Sequence, residues 1–186
     1  MKGTRPLTDQ EIADVFSTLK TKRDKLLFLL GAKTGLRISE LLSLTIRDVT
    51  EYGQVGSQVT VAKKNTKGKV ESKTLPLTET VKKALSAYIE GKTNLSEPLF
   101  KSTKSNKGIT RMQAHRILKN VFNALELTGK VATHSMRKSY ARKVHAALGS
   151  DILKTQIALC HKSLSSTASY LQVDKEEVVK AILSQG

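Results

Sequence analysis

Four short segments of this chain carry residue types that handle phosphate groups and protons. Arginine is scarce, eight residues against twenty-four lysines, so an arginine in an apolar setting stands out. In Thr34-Gly35-Leu36-Arg37-Ile38-Ser39-Glu40-Leu41, Arg37 falls at a turn between two apolar helices, and Glu40, three residues on, is within reach to orient it. A structural Arg–Glu pair closing a helix junction has the same pattern. His134-Ser135-Met136-Arg137 sets an imidazole and a guanidinium three residues apart at a helix start, on one face and able to touch the same oxygen atoms. A guanidinium suits that task because its planar fork binds two phosphate oxygens and never loses its charge. A solvated helix terminus carries such a pair as well. Cys160-His161 closes a further helix, and Tyr170 follows nine positions later. Neighbouring Cys and His side chains point apart and there is no second cysteine, so a metal site is not expected; a helix-terminal histidine and a packed tyrosine are the plain alternative. The fourth segment is the lysine-rich turn Lys63-Lys64-Asn65-Thr66-Lys67-Gly68-Lys69.

Charge narrows the partner. The 186 residues hold 32 Lys and Arg against 16 Asp and Glu, a formal net charge of +16, which calls for a polyanion. The excess is concentrated. From Lys101 to Lys143 there are eleven bases and one acid, Glu126, and the run Lys63, Lys64, Lys67, Lys69, Lys73 faces only Glu71. The segment after Tyr170 is slightly acidic, with Asp174, Glu176 and Glu177 against Lys175 and Lys180, and is not expected to touch phosphate. Aromatic residues are 4% with no Trp, too few for stacking single-stranded bases, so duplex backbone is the better match. The basic windows lack the large apolar anchors of a membrane-surface helix, and no stretch is long and apolar enough to span a bilayer. The lone Cys160 excludes a disulfide framework and fits a reducing compartment.

The elements that must position these residues are mostly helical. Thr8-Asp9-Gln10-Glu11 is a capping box opening a helix through Leu19. Arg23 to Thr34 reads as a nearly all-apolar central helix stopped by Gly35, and Ser39 as the cap of a short helix from Glu40 to Leu44. Val55–Ala62 and Val70–Leu77 alternate as two strands of a hairpin with a lysine-rich tip. Helices are predicted from Thr78 to about Glu90, from the Thr110 capping box to about Leu127, over Ser135–Leu148, and over Asp151–Leu159 behind Ser150. A short segment near Ser165–Leu171 and a last helix capped at Asp174 complete the pass. The expectation is one domain, mainly α with a small antiparallel β-hairpin, an α+β arrangement.

Taken in order, Arg37, a hairpin lysine, His134-x-x-Arg137, His161 and Tyr170 form a set that resembles the tyrosine recombinases, or phage integrase family, across nearly the whole chain as the catalytic domain. The resemblance implies a site-specific DNA recombinase or integrase of the mobile-element kind. Arg37 and Arg137 would clamp the scissile phosphate and Tyr170 would attack it. His134 and His161 would support proton transfer and phosphate oxygens, Lys67 would protonate the leaving 5′ oxygen with Lys64 and Lys69 as the other choices, and Glu40 would brace the site. Lys63, Lys64, Lys69, Arg111, Arg116, Lys138 and Arg142 are the expected basic surface for DNA. No cofactor or metal is expected. Partners would be double-stranded DNA, further copies of the chain as a homo-oligomer, a tetramer, on DNA, and an accessory DNA-bending or site-recognition protein, in the cytoplasm and on the nucleoid of a prokaryotic host. Type IB topoisomerase activity and a catalytically silent basic DNA-binding module are the competing readings.

The chain departs from the family pattern in three respects. Cys160 stands where a glycine before the histidine is usual, read here as a local packing variation. The hairpin turn is long, which leaves the choice among its lysines open. The N-terminal domain that embraces the other side of the DNA has no counterpart in this sequence, which is either an excised fragment or a minimal recombinase, and the acidic tail from Asp174 resembles the segment that docks on a neighbouring subunit. Each phosphate neutralised on a duplex releases condensed counterions, so log affinity should fall against log salt with a slope of about −0.9 per contact. Fluorescence anisotropy of a labelled duplex over a potassium chloride series measures that slope, and a flat response contradicts the duplex-backbone reading.

Overall fold

In the computed structural model, which describes residues 3–66, 71–171 and 183–184, the apolar run Leu26–Leu30 forms the centre of helix α2 (Lys22–Thr34) and is buried all round. A helix apolar on every face has to be the middle of a core, and α1 (Asp9–Thr18), α3 (Ile38–Leu42) and α4 (Glu79–Ile89) all pack on it. Helix α5 (Arg111–Ala124) packs in turn on α1 and α3. Both expected capping boxes form: Thr8 Oγ1 accepts from the Glu11 N–H while Glu11 accepts from the Thr8 N–H, and Thr110 and Gln113 do the same for α5. Helix α5 ends three residues short of Leu127.

The sheet is smaller than the alternation suggested. Strands β3 (Gln58–Val61) and β4 (Lys73–Pro76) pair antiparallel, with Val59 opposite Leu75 and Val61 opposite Lys73. Val55 does not belong to this hairpin. It lies in β2 (Gln54–Val55), paired with β1 (Thr50–Glu51) around Tyr52 and Gly53, which both take positive φ (50° and 80°) as a tight hairpin turn requires. The lysine-rich turn opens as a 3-10 turn over Lys63–Asn65.

The chain divides into two compact units, Met1–Tyr140 and Ala141–Gly186. Helix α6 (Thr133–Ala147) runs through the division. In the second unit α7 (Ile152–Ala158) is capped by Asp151 rather than Ser150, its carboxylate accepting from the N–H groups of Leu153 and Lys154, and it packs on α8 (Leu164–Ala168), capped by Ser163. The last predicted helix, from Asp174, lies outside the described residues. Among the described residues no helix is long and apolar enough to cross a membrane.

Gly35 ends α2 in the left-handed conformation, φ +64°, its N–H bonded to the carbonyl of Gly31. A Cβ there would stand 2.3 Å from Cδ1 of Tyr140. Gly35→Ala therefore meets both a backbone penalty and a ring it would have to displace. The expected loss is about 2–5 kcal/mol in urea unfolding monitored by circular dichroism; a loss under about 0.5 kcal/mol, the range of ordinary surface substitutions, contradicts the close approach.

Candidate active site

In the first unit one buried carboxylate organises the predicted arginine. Glu40, 1% exposed, accepts the Arg37 backbone N–H at Oε2 (2.8 Å) and the Arg37 guanidinium at Oε1 (3.1 Å). Arg37, not Ser39, is thus the residue that caps α3, and Glu40 closes the cap from inside the helix. The same Oε1 accepts from Lys73 Nζ at 2.5 Å. Burial works against ionisation of Glu40, but the Lys73 and Arg37 hydrogen bonds and their charges prevail and hold the carboxyl below the ordinary range. Burial pushes the Lys73 ammonium below its usual value, and although Glu40 opposes this, the positive charges of Arg37 and Arg137 add to it.

Arg137 is buried on α6 and donates from Nη1 to the carbonyl of Gly35. The left-handed end of α2 therefore presents its carbonyl to one predicted arginine two residues before the chain reaches the other. His134, one turn earlier on α6, is exposed at its edge. Loss of hydration first, then the charges of Arg137, Lys138, Arg37 and Arg111, lower the affinity of its imidazole for a proton. At neutral pH His134 is accordingly a neutral ring facing a positive surround.

The second unit holds the other predicted pair. His161 is buried, its Nδ1 3.0 Å from the hydroxyl of Thr167 on α8, and its ring lies 5.1 Å from that of Tyr170 at an interplanar angle of 47°. Tyr170 is half-buried just past α8. Its N–H bonds to the Thr167 carbonyl, so one threonine anchors both the histidine ring and the tyrosine backbone.

Several expectations need correction. Lys138 is not part of an exposed basic face: it is 9% exposed, because it lies on the inward side of α6 with Ser135 and Ser139. Lys63, Lys64, Arg111, Arg116 and Arg142 are exposed. Lys67 and Lys69 lie outside the described residues. Cys160 is not a packing variation either. It is exposed and has φ +48°, and it sits where α7 turns: its N–H bonds to the Ile157 carbonyl and that of His161 to the Gln156 carbonyl, the paired bonds of a Schellman turn that favours glycine. The residue passed over in the sequence is Lys73, counted only as one more base. The available signal was phase: Lys73 alternates with Leu75 and Leu77, both buried, so it points inward from β4. Among the described residues no three His, Cys, Asp or Glu side chains cluster to hold a metal ion.

The model of the phage integrase family matches residues 5–177. The chain belongs to that family. Its curated relatives include the probable integrase/recombinase YoeC of Bacillus subtilis, 32% identical over 157 residues, covering 84% of this chain and 81% of that protein. Tyrosine recombinase XerA of Pyrococcus furiosus is 31% identical over 183 residues, covering 96% of this chain and 60% of that protein. The fold matches the crystal structure of the XerH site-specific recombinase bound to palindromic difH substrate in a post-cleavage complex, with a TM-score of 0.75 at 22% identity, over 98% of this chain and 53% of that one. The chain thus spans less than two thirds of the XerA and XerH chains. Cleavage and rejoining of DNA is the function of the family, and neither the topoisomerase-like nor the silent-module reading is favoured by these relatives.

A non-glycine residue in the left-handed region costs about 1–2 kcal/mol, and glycine returns part of that as unfolded-chain entropy. Cys160→Gly should therefore stabilise the protein by about 0.5–1 kcal/mol, raising Tm by about 1–4 °C in calorimetry. A fall in Tm contradicts the strained turn.

Proposed function

We propose that this chain cleaves and rejoins duplex DNA by transesterification, as a site-specific recombinase or integrase, through a 3′-phosphotyrosyl intermediate on Tyr170. The reading is supported above all by two guanidiniums tied to one turn: Arg137 bonds the Gly35 carbonyl while Arg37, two residues on, is held by Glu40. A phosphodiester repels nucleophiles through its own charge, and two preorganised guanidiniums offset the charge that grows on its non-bridging oxygens. Tyr170 Oη attacks phosphorus, the bond from phosphorus to the 5′ oxygen breaks, the tyrosine proton leaves to a base, and the 5′ oxygen gains a proton.

A phenol with a reference pKa of about 10 needs such help near neutral pH. His161, ring to ring with Tyr170, suits the proton-handling role, and neutral His134 suits an acceptor or a hydrogen-bond donor to a phosphate oxygen. Lys67 is the proposed acid for the 5′ oxygen, with Lys64 and Lys69 as alternatives, and Lys63, Arg111, Arg116 and Arg142 the proposed backbone contacts. The phosphotyrosyl bond keeps the energy of the bond it replaces, so a 5′ hydroxyl can reverse the step without an external energy source.

Exchange between two duplexes breaks four strands, and with one Tyr170 per copy this requires four copies assembled on DNA, in the nucleoid of a prokaryotic host. Tyr170 would act on a phosphate held either by its own copy or by a neighbouring one. The test is a nicked suicide duplex carrying the junction sequence recovered from recombinants of the intact gene. Wild type should form a detergent-stable 3′ adduct, and Tyr170→Phe none, while duplex affinity stays within about threefold because the phenol hydroxyl acts in the transition state and not in ground-state binding. Duplex binding without any adduct in wild type would leave the silent module as the better account. Efficient relaxation of a supercoiled plasmid lacking the junction would point to topoisomerase chemistry.

A further inference from the structure

The ion-pair cluster around Glu40 contains one cation more than bracing Arg37 requires. The carboxylate is sealed from water, and its Oε1 takes two donors: the Lys73 ammonium at 2.5 Å and a single guanidinium nitrogen of Arg37 at 3.1 Å. The Lys73 side chain is 11% exposed and that of Arg37 is 24% exposed. Buried carboxylates and guanidiniums favour the two-pronged arrangement in which both carboxylate oxygens face two N–H groups. Here that arrangement is blocked. Oε2 is taken by the Arg37 backbone N–H and Oε1 is shared with the shorter Lys73 contact, so the guanidinium is held at one corner only.

The register of the hairpin makes the placement of Lys73 costly. It is opposite Val61 and in phase with Leu75, an inward position where an aliphatic side chain would pack without losing hydration. Burial and the nearby charges of Arg37 and Arg137 all disfavour an ammonium there, with only Glu40 in its favour. A structural pin between β4 and α3 would need no cation so close to two others.

We infer that Lys73 is a positioning residue: by occupying Oε1 of Glu40 it limits the carboxylate's hold on the Arg37 guanidinium to one N–H and leaves the other guanidinium donors for the scissile phosphate. The inference rests on the proposed clamp role of Arg37. Without Lys73, Oε1 would have only the Arg37 guanidinium to pair with, and the buried carboxylate would draw it closer and away from the DNA. Lys73 acts on the reacting phosphate through Arg37 and is separate from the acid that protonates the 5′ oxygen.

The test measures single-turnover adduct formation on the same suicide duplex at saturating DNA. Lys73→Met should slow adduct formation by about 100-fold, the cost of a misplacement of roughly 1 Å, with duplex affinity within about threefold of wild type. Lys73→Arg, which keeps the cation, should recover to within about tenfold of wild type, whereas Lys73→Gln should not. The distinguishing variant is the pair Glu40→Gln with Lys73→Met: with no buried negative charge to capture Arg37, it should react at least about tenfold faster than Lys73→Met alone, a coupling that independent sites do not show. If Lys73→Met does not fold, the comparison of Lys73→Gln with its Glu40→Gln double variant carries the same decision. A duplex with sulfur at the 5′ bridging position separates the two lysine roles, because a thiol of pKa about 8.5 leaves without a proton donor. The Lys73→Met defect should persist on it. Relief by sulfur would make Lys73 the acid and overturn the positioning role, as would a double variant no faster than the single one. Absence of an adduct in wild type would instead remove the clamp reading and the inference with it.

Discussion

The turn at Gly35 is the constraint on which the first unit depends. Three demands meet at one residue: a left-handed backbone to end α2, room for the Tyr140 ring, and a carbonyl that accepts from Arg137. Only glycine satisfies the first two together. The third couples them to chemistry, because the carbonyl that α2 leaves unpaired at its end becomes the acceptor that holds a buried guanidinium. Helix termination, the seating of α6 and the orientation of Arg137 are therefore one event. Arg37 follows within two residues, so the same turn sets where the second guanidinium enters.

Burying cations in this way is costly unless each finds a partner. The first unit meets the cost with a small number of acceptors used more than once. Glu40 serves the α3 cap, the Arg37 guanidinium and Lys73 with its two oxygens, and Gly35 serves both helix end and Arg137. Such sharing holds the Arg37 guanidinium to Glu40 through one N–H, and an arginine must keep donors available in this way to hold an anion. The lowered proton affinity of His134 belongs to the same electrostatic balance, since a ring that loses hydration among four positive groups is best left neutral. The second unit uses a comparable economy: Thr167 hydrogen-bonds His161 through its hydroxyl and the Tyr170 N–H through its carbonyl.

Local signals in the chain were legible where a single stretch of residues contains the whole cause. The Thr8 and Thr110 capping boxes, the glycine stop of α2 and the apolar run of that helix are complete within a few residues, and each forms as expected. The hairpin was misjudged in length because Val55 fits the alternation but sits before Gly56, where the chain turns into a separate pair of strands. The Cys160 difference was misassigned because a side-chain substitution draws attention to packing, while its physical consequence lies in backbone φ.

What the sequence by itself determined is the residue set: the order Arg37, His134, Arg137, His161, Tyr170 with Glu40 beside the first arginine is enough to indicate the family, because such a pattern depends on side-chain type and short spacing. Tertiary structure alone decided which bases are available to a ligand and which are internal. Lys138 and Lys73 look like any other lysine in a chain of +16, yet one lies on the buried side of α6 and the other is aimed from β4 into the Glu40 carboxylate. The physical reason is that burial and pairing are properties of distant segments brought together. Glu40 and Lys73 are thirty-three residues apart in sequence, and their 2.5 Å contact exists only once the β3–β4 register and the α2–α3 turn have both formed.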